Sequence, residues 1–110
     1  MTTEPSAAGA GAVAQSALAE YQPGAVVSRT LLKNAGGNVT AFAFDQGEGL
    51  SEHTAPFEAL VLGVEGEAEI RIADRTYRLR SGEILTLPAR QPHAVKAITP
   101  FKMLLVMIKA

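Results

Sequence analysis

The sequence predicts an all-β fold of about eight antiparallel strands. Three observations point there. Apolar runs of about four to eight residues recur along most of the chain, and turn-forming residues separate them every 8 to 12 positions or so. "EAEIRIA" and "TYRLR" alternate polar and apolar residues, the mark of a strand with one buried face. No helical period separates the runs, so parallel βαβ units are excluded and a sandwich, a jelly roll or a small barrel remains. The 110 residues are one domain's worth of chain. The division expected is a flexible segment over 1–20 and the β domain over 21–110.

The N-terminal stretch "MTTEPSAAGAGAVAQSALAE" is small and polar at first, and residues 1 to about 12 read as disordered. "AVAQSALAEY" has the composition of a short helix, marginal in isolation. It reads as a tail, not as a signal peptide, because Glu4 and Pro5 stand where basic residues are needed and no Leu-rich core comes after them. After Pro23-Gly24 the character changes. "AVVSRTLL" is β-branched and of strand length, and "NAGGN" turns it into "VTAFAF". "DQGEG" is the next turn, then come "EALVLGV", "EAEIRIA", a tight "ADR" hairpin turn and "TYRLR". "EILTLP", "HAVKAI" and "FKMLLVMI" complete the set. Pro88 and Pro92 rule out a central strand between them and make a rigid edge loop.

Composition removes whole classes of function. There are no cysteines, hence no disulfides, thiolate metal sites or thiol nucleophiles, which fits a reducing, cytoplasmic setting. A net charge of −1 with mixed signs offers no basic face for nucleic acid. The arginines of "RTYRLRSGE" read as a solvated face. No apolar stretch approaches the roughly 20 residues of a membrane span. There is no Ser-His-Asp arrangement, no phosphate-cradling glycine loop before a helix and no DNA-reading helix.

Two glycine-headed segments carry the remaining signal. One runs Gly47, His53, Gly66; the other runs Gly82, Pro88, His93. Folded face to face, two such units bring the histidines together. This punctuation resembles the two motifs of the cupin superfamily. The pattern G-x5-H-x-H-x3-E-x6-G falls on Gly47, His53, Ala55, Ala59 and Gly66, and G-x5-P-x-G-x2-H-x3-N falls on Gly82, Pro88, Arg90, His93 and Ala97. "EHTAPFEALV", "PARQPHAVKA" and "FKMLLVMI" look like the small single-domain members, and the resemblance spans about residues 25–108. It implies an antiparallel jelly-roll barrel. It also implies a metal site of three imidazoles and one carboxylate around Fe, Mn, Zn, Ni or Cu.

The departures redefine that site. Ala55 and Ala59 replace the second histidine and the carboxylate, and Ala97 replaces the final asparagine. Glu58 and Glu52 neighbour ligand positions but fall on the opposite strand face, unless a bulge near Pro56 breaks the alternation. His53 and His93 then remain as hydrogen-bonding handles, or as two ligands of a weakly held divalent transition metal. Ser51 and Gln91 share their parity and are candidates to orient them. Ala55 and Ala59, with Val61, Gln91 and Val95, outline an apolar ligand pocket beside the two histidines. Alternatively Phe42, Phe44, Met103, Leu105 and Met107 fill that space.

"FKMLLVMI" is apolar on both faces, more than one small barrel needs, so a homodimer is expected. The function expected is binding of a small molecule, with no nucleic-acid or membrane partner. The alternatives are a metal-dependent dioxygenase, isomerase or lyase using an incomplete two-histidine centre, and an accessory dimer with a filled barrel.

Overall fold

The computed structural model describes residues 2–3 and 11–109. Most of the stretch expected to be disordered, residues 1 and 4–10, lies outside the described residues. Ten strands form two sheets: β1 (Thr2–Thr3), β2 (Val26–Asn34), β3 (Gly37–Phe44), β4 (Gly49–His53), β5 (Glu58–Glu65), β6 (Glu67–Ile72), β7 (Arg75–Arg80), β8 (Ile84–Leu87), β9 (His93–Ala97) and β10 (Phe101–Ile108). One sheet has the order β1-β2-β3-β10-β5-β8 and the other β4-β9-β6-β7. Every pairing is antiparallel except the short parallel contact of β1 with β2. All eight runs picked out by pattern are strands.

Three features differ from the pattern. "AVAQSALAEY" yields only a 3-10 turn, Gln15–Ala17, because its N-cap is Ala14, which has no side-chain acceptor to start a longer helix. β4 lies inside a segment whose pattern reads as turn and loop, since "GLSEH" has a single apolar residue and no alternation to betray it. The third is a slip of register in β4, between Leu50 and His53. No helix among the described residues is long and apolar enough to cross a membrane.

The sheets face each other across the main core. Phe42, Phe44, Val61, Ile70, Leu79, Phe101 and Met103 are buried there. Phe42 stacks on Phe44 at 5.7 Å between ring centroids, and Phe44 meets Phe101 at 5.9 Å. Each such side chain contributes about 1.5–3 kcal/mol of burial. β5 shows the rule in its sequence, with Ala59, Val61 and Gly63 buried and Leu60, Leu62 and Val64 turned to the outer face.

A second cluster covers part of that outer face. Leu18 and Ala19 pack on Val27, Ala41 and Ala43, with Tyr21, Leu31 and Leu104 alongside. Polar contacts hold this segment. Lys102 Nζ donates to the Ser16 carbonyl at 2.7 Å and lies 4.6 Å from the Tyr21 ring centroid. Arg29 donates to the Leu18 carbonyl at 3.2 Å, and the Tyr21 hydroxyl donates to Glu65.

Candidate functional site

The two histidines meet at one mouth of the barrel, on adjacent strands of the smaller sheet. His93 opens β9 and its side chain shares the inner face with Val95 and Ala97. His53 ends β4, and the route to the same face is less direct. Gly49 pairs with Lys96 and Leu50 with Val95, a register that puts Glu52 opposite His93. The register then slips by one residue between Leu50 and His53, so that His53 itself faces His93. An extra residue in one strand re-aims the side chains beyond it. Here it turns His53 inward and Glu52 outward, where Glu52 pairs with Arg71 at 2.7 Å. The parity argument holds for Glu58, which is exposed while Ala59 beside it is buried. The bulge lies before His53, not near Pro56.

The rings stand edge to face, with centroids 4.2 Å apart and planes 72° apart. Their Nε2 atoms are 2.9 Å apart. Each Nδ1 lies against the carbonyl two residues back in its own chain: His53 on Ser51 at 2.8 Å, His93 on Gln91 at 3.2 Å. Ser51 and Gln91 do orient the rings, but through their backbones. A carbonyl only accepts, so the hydrogen-bond network assigns a proton to both Nδ1 atoms. In two neutral rings, both Nε2 lone pairs then aim at each other across 2.9 Å. That arrangement calls for a third party between or beside them, either a proton or a metal cation.

The donor set can be tested for a metal. Two bonds of about 2.0–2.1 Å to imidazole nitrogen span about 2.9 Å at a right angle and about 3.3–3.4 Å at the tetrahedral angle. The observed separation therefore fits a right-angled pair as it stands, and a tetrahedral ion requires the rings to part by roughly 0.4 Å. Among the described residues no group of three or more His, Asp or Glu side chains is placed to hold an ion. The residues fit a metal held by two nitrogens, with every other position left to water or ligand.

Burial separates the two rings. His53 is exposed, whereas His93 is only 9% exposed. Loss of solvation pulls the His93 imidazole below its ordinary value, the Gln91 carbonyl opposes this, and the nearby His53 adds to the lowering. His93 is thus kept neutral, the state that coordinates or accepts a proton.

The residues outlined as a pocket divide into two groups. His53, Ala55 and Gln91 sit at the rim, exposed or half-buried. Ala59, Val61 and Val95 belong to the packed core with Phe42, Phe44 and Met103, and Leu105 packs against it. Open space occurs beside the rim, in a groove of about 610 Å³ lined by Pro56, Phe57, Glu58, Pro88, Ala89, Arg90 and Ile108. Sequence reasoning assigns no role to this groove. Its one signal is Arg90, standing where the second motif has glycine.

Comparison with known proteins agrees with the geometry. A model of the cupin domain matches residues 41–108. A conserved protein of unknown function from Streptococcus pyogenes superposes with a TM-score of 0.89 at 33% identity, over 94% of this chain and 90% of that one. A cupin superfamily protein from Desulfitobacterium hafniense gives 0.86 at 28% identity, over 89% and 90%. A cupin 2 conserved barrel domain protein from Leptotrichia buccalis gives 0.82 at 39% identity, over 86% of this chain and 46% of that one. No curated protein matches. A matched model over most of the barrel, two motif frames in register and a shared fold lead to one conclusion: the chain belongs to the cupin-domain family.

Proposed function

We propose that this cupin-domain protein binds a small molecule at the histidine mouth of the barrel, with His53 and His93 acting as a two-nitrogen handle. The observation that carries the reading is the convergence of both Nε2 atoms to 2.9 Å while both Nδ1 atoms are held by backbone carbonyls. Rings so fixed cannot turn their Nδ1 atoms to the ligand, so recognition passes through Nε2. Two chemistries suit that edge. With one proton shared between the rings, the pair carries a single positive charge at the mouth, which attracts an anionic group of the ligand. With a divalent ion of the Zn, Ni, Cu, Fe or Mn type, His53 and His93 are its two protein ligands, and the ion supplies Lewis-acid polarisation of a ligand oxygen. A two-nitrogen site is weaker than the three protein ligands usual in catalytic zinc centres. A ligand that itself chelates is then part of the site.

A metal-dependent enzyme of dioxygenase, isomerase or lyase type is the second reading. The exposure of His53 beside a buried neutral His93 favours it, because an open coordination edge next to a base is what such chemistry uses. A homodimer belongs to the same proposal, built on the outer face of the six-stranded sheet.

The test is metal content per chain by mass spectrometry, on protein purified without tag or chelator, beside a His53→Ala/His93→Ala double variant. Near one equivalent of one metal in the wild type, lost in the variant, is the outcome expected of a metal handle. Negligible metal in both removes the metal half of the reading and leaves the shared-proton form.

A further inference from the structure

The groove at the rim combines three features that the histidine pair does not use. Arg90 adopts a left-handed backbone, φ 65°, which glycine takes freely and an L-residue takes at a cost. The family pattern has glycine at this place, so this chain tolerates strain to keep a long cation there. The strained residue also joins the two loops that wall the groove, since the Arg90 N–H donates to the Ala55 carbonyl at 2.8 Å. The lining sets the apolar side chains Pro56, Phe57, Pro88 and Ile108 within a surface that is more polar than apolar, with Arg90 the only cation and Glu58 the only anion among the lining residues. Among the described residues no carboxylate pairs with Arg90. A second cation, Lys109, lies 5.7 Å from the Phe57 ring centroid.

We propose that this groove binds the carboxylate of a small monoacid, with Arg90 as the residue that reads it. A guanidinium offers parallel N–H donors that match a carboxylate two to two, and Pro56, Phe57, Pro88 and Ile108 give the carbon body of the acid a surface to lie on. Two cations against Glu58 leave one net positive charge, which suits one carboxylate and penalises a second. The groove adjoins the histidines through the chain itself. Arg90 precedes Gln91, whose carbonyl holds His93, and bonds to Ala55, two residues after His53. The inference deepens the reading of the mouth as a ligand site by naming the class of ligand, and its test is kept independent of metal.

Full-length protein is titrated with benzoate and hexanoate, and with the neutral benzamide and hexanamide, in the presence of chelator, while backbone amide shifts are monitored by NMR. The expected result is saturable shifts at Phe57, Glu58, Ala89 and Arg90 for the acids, with the amides at least tenfold weaker. Arg90→Gly is expected to weaken the acids at least tenfold and yet to melt at a higher temperature than wild type, because glycine relieves the backbone. Arg90→Gln, which keeps the strain, is expected to lose the acids without that rise. Equal binding of acid and amide, shifts that map elsewhere, no saturation at tens of millimolar, or undiminished binding by both variants each overturns the proposal. Acid binding that survives in the His53→Ala/His93→Ala variant separates this site from the histidine handle, so each can fail alone.

Discussion

Gly66 links β5 to β6 and so carries the chain from one sheet to the other. Its φ is 77°, and a Cβ built there meets the Pro100 carbonyl oxygen far inside any normal contact, with Thr99 Oγ1 at 2.8 Å and the Pro100 carbonyl carbon at 3.0 Å. Gly66→Ala therefore carries three costs. Left-handed backbone at an L-residue costs about 1–2 kcal/mol. Relief of the clash requires the Thr99-Pro100 backbone to move by on the order of 1 Å, directly before the fully buried Phe101, and overpacking of that kind costs about 1–3 kcal/mol. The move also strains the bond from the Glu67 N–H to Thr99 Oγ1, 3.0 Å long, worth about 1 kcal/mol. The total is roughly 3–6 kcal/mol, a large share of the 5–15 kcal/mol that holds a typical domain.

A matched control isolates the clash. Gly82 has φ 85° but nothing within 4 Å of its Cβ position. Gly82→Ala therefore bears only the backbone cost, about 1–2 kcal/mol. At about 5 °C per kcal/mol for a domain of this size, Gly66→Ala melts roughly 15–30 °C below wild type and Gly82→Ala roughly 5–10 °C below. Thermal melts by circular dichroism, with urea titrations to check that the slope is unchanged, measure both. If the two variants melt within a few degrees of each other, the close approach of Gly66 to Pro100 has no energetic weight and the account of how the sheets are joined is wrong.

Acid gives a second outcome. The folded-state value of His93 lies below the ordinary 6.5, so between the two values the unfolded chain binds the proton and the folded chain does not. The stability of the neutral ring is complete above about 6.5 and is lost as pH falls from there towards the lowered value. Urea melts of metal-free protein between about pH 7.5 and 5 are expected to decline more steeply in wild type than in His93→Gln, and parallel curves contradict the assignment. Self-association gives a third. Leu32 (68% exposed), Ile84 (59% exposed), Leu60, Leu62, Val39 and Val106 share the outer face of the six-stranded sheet, beyond the reach of Leu18 and Ala19. Sedimentation at micromolar concentration is expected to give twice 11.5 kDa, and Leu62→Glu/Val106→Lys to give a folded monomer. A monomeric wild type refutes the interface.

How much of the molecule was legible in its sequence depends on what each signal encodes. Apolar alternation and turn glycines report burial and reversal, and both are strong in "EAEIRIA", "TYRLR" and "FKMLLVMI". The fold class and the strand set come from them. β4 carries neither signal, because its work is to present Ser51, Glu52 and His53 at an exposed edge, not to bury a stripe. The pairing of His53 with His93 is readable from the two frames. Their tautomers are not, since the partners are the carbonyls of Ser51 and Gln91, which every residue possesses and no letter of the sequence marks. The slip between Leu50 and His53 is equally silent, because the composition of "LSEH" admits either register.

Those silent features are not scattered. Among the described residues only Ala73 and Arg90 are non-glycines with left-handed backbone, and both lie at the histidine mouth. Each uses its N–H to tie neighbouring loops there, Arg90 to Ala55 and Ala73 to Pro92, at 2.8 Å in both cases. Add the β4 bulge, a buried neutral imidazole and two lone pairs aimed at one another, and five departures from local preference occur within one rim. Natural sequences break local rules where function requires it and obey them elsewhere. If the barrel were only an inert scaffold, selection would be free to place glycine at 73 and 90, to drop the extra residue in β4, and to exchange His93 for one more aliphatic side chain beside Val95. The clustering of these departures at one mouth supports the proposal that ligand binding takes place there.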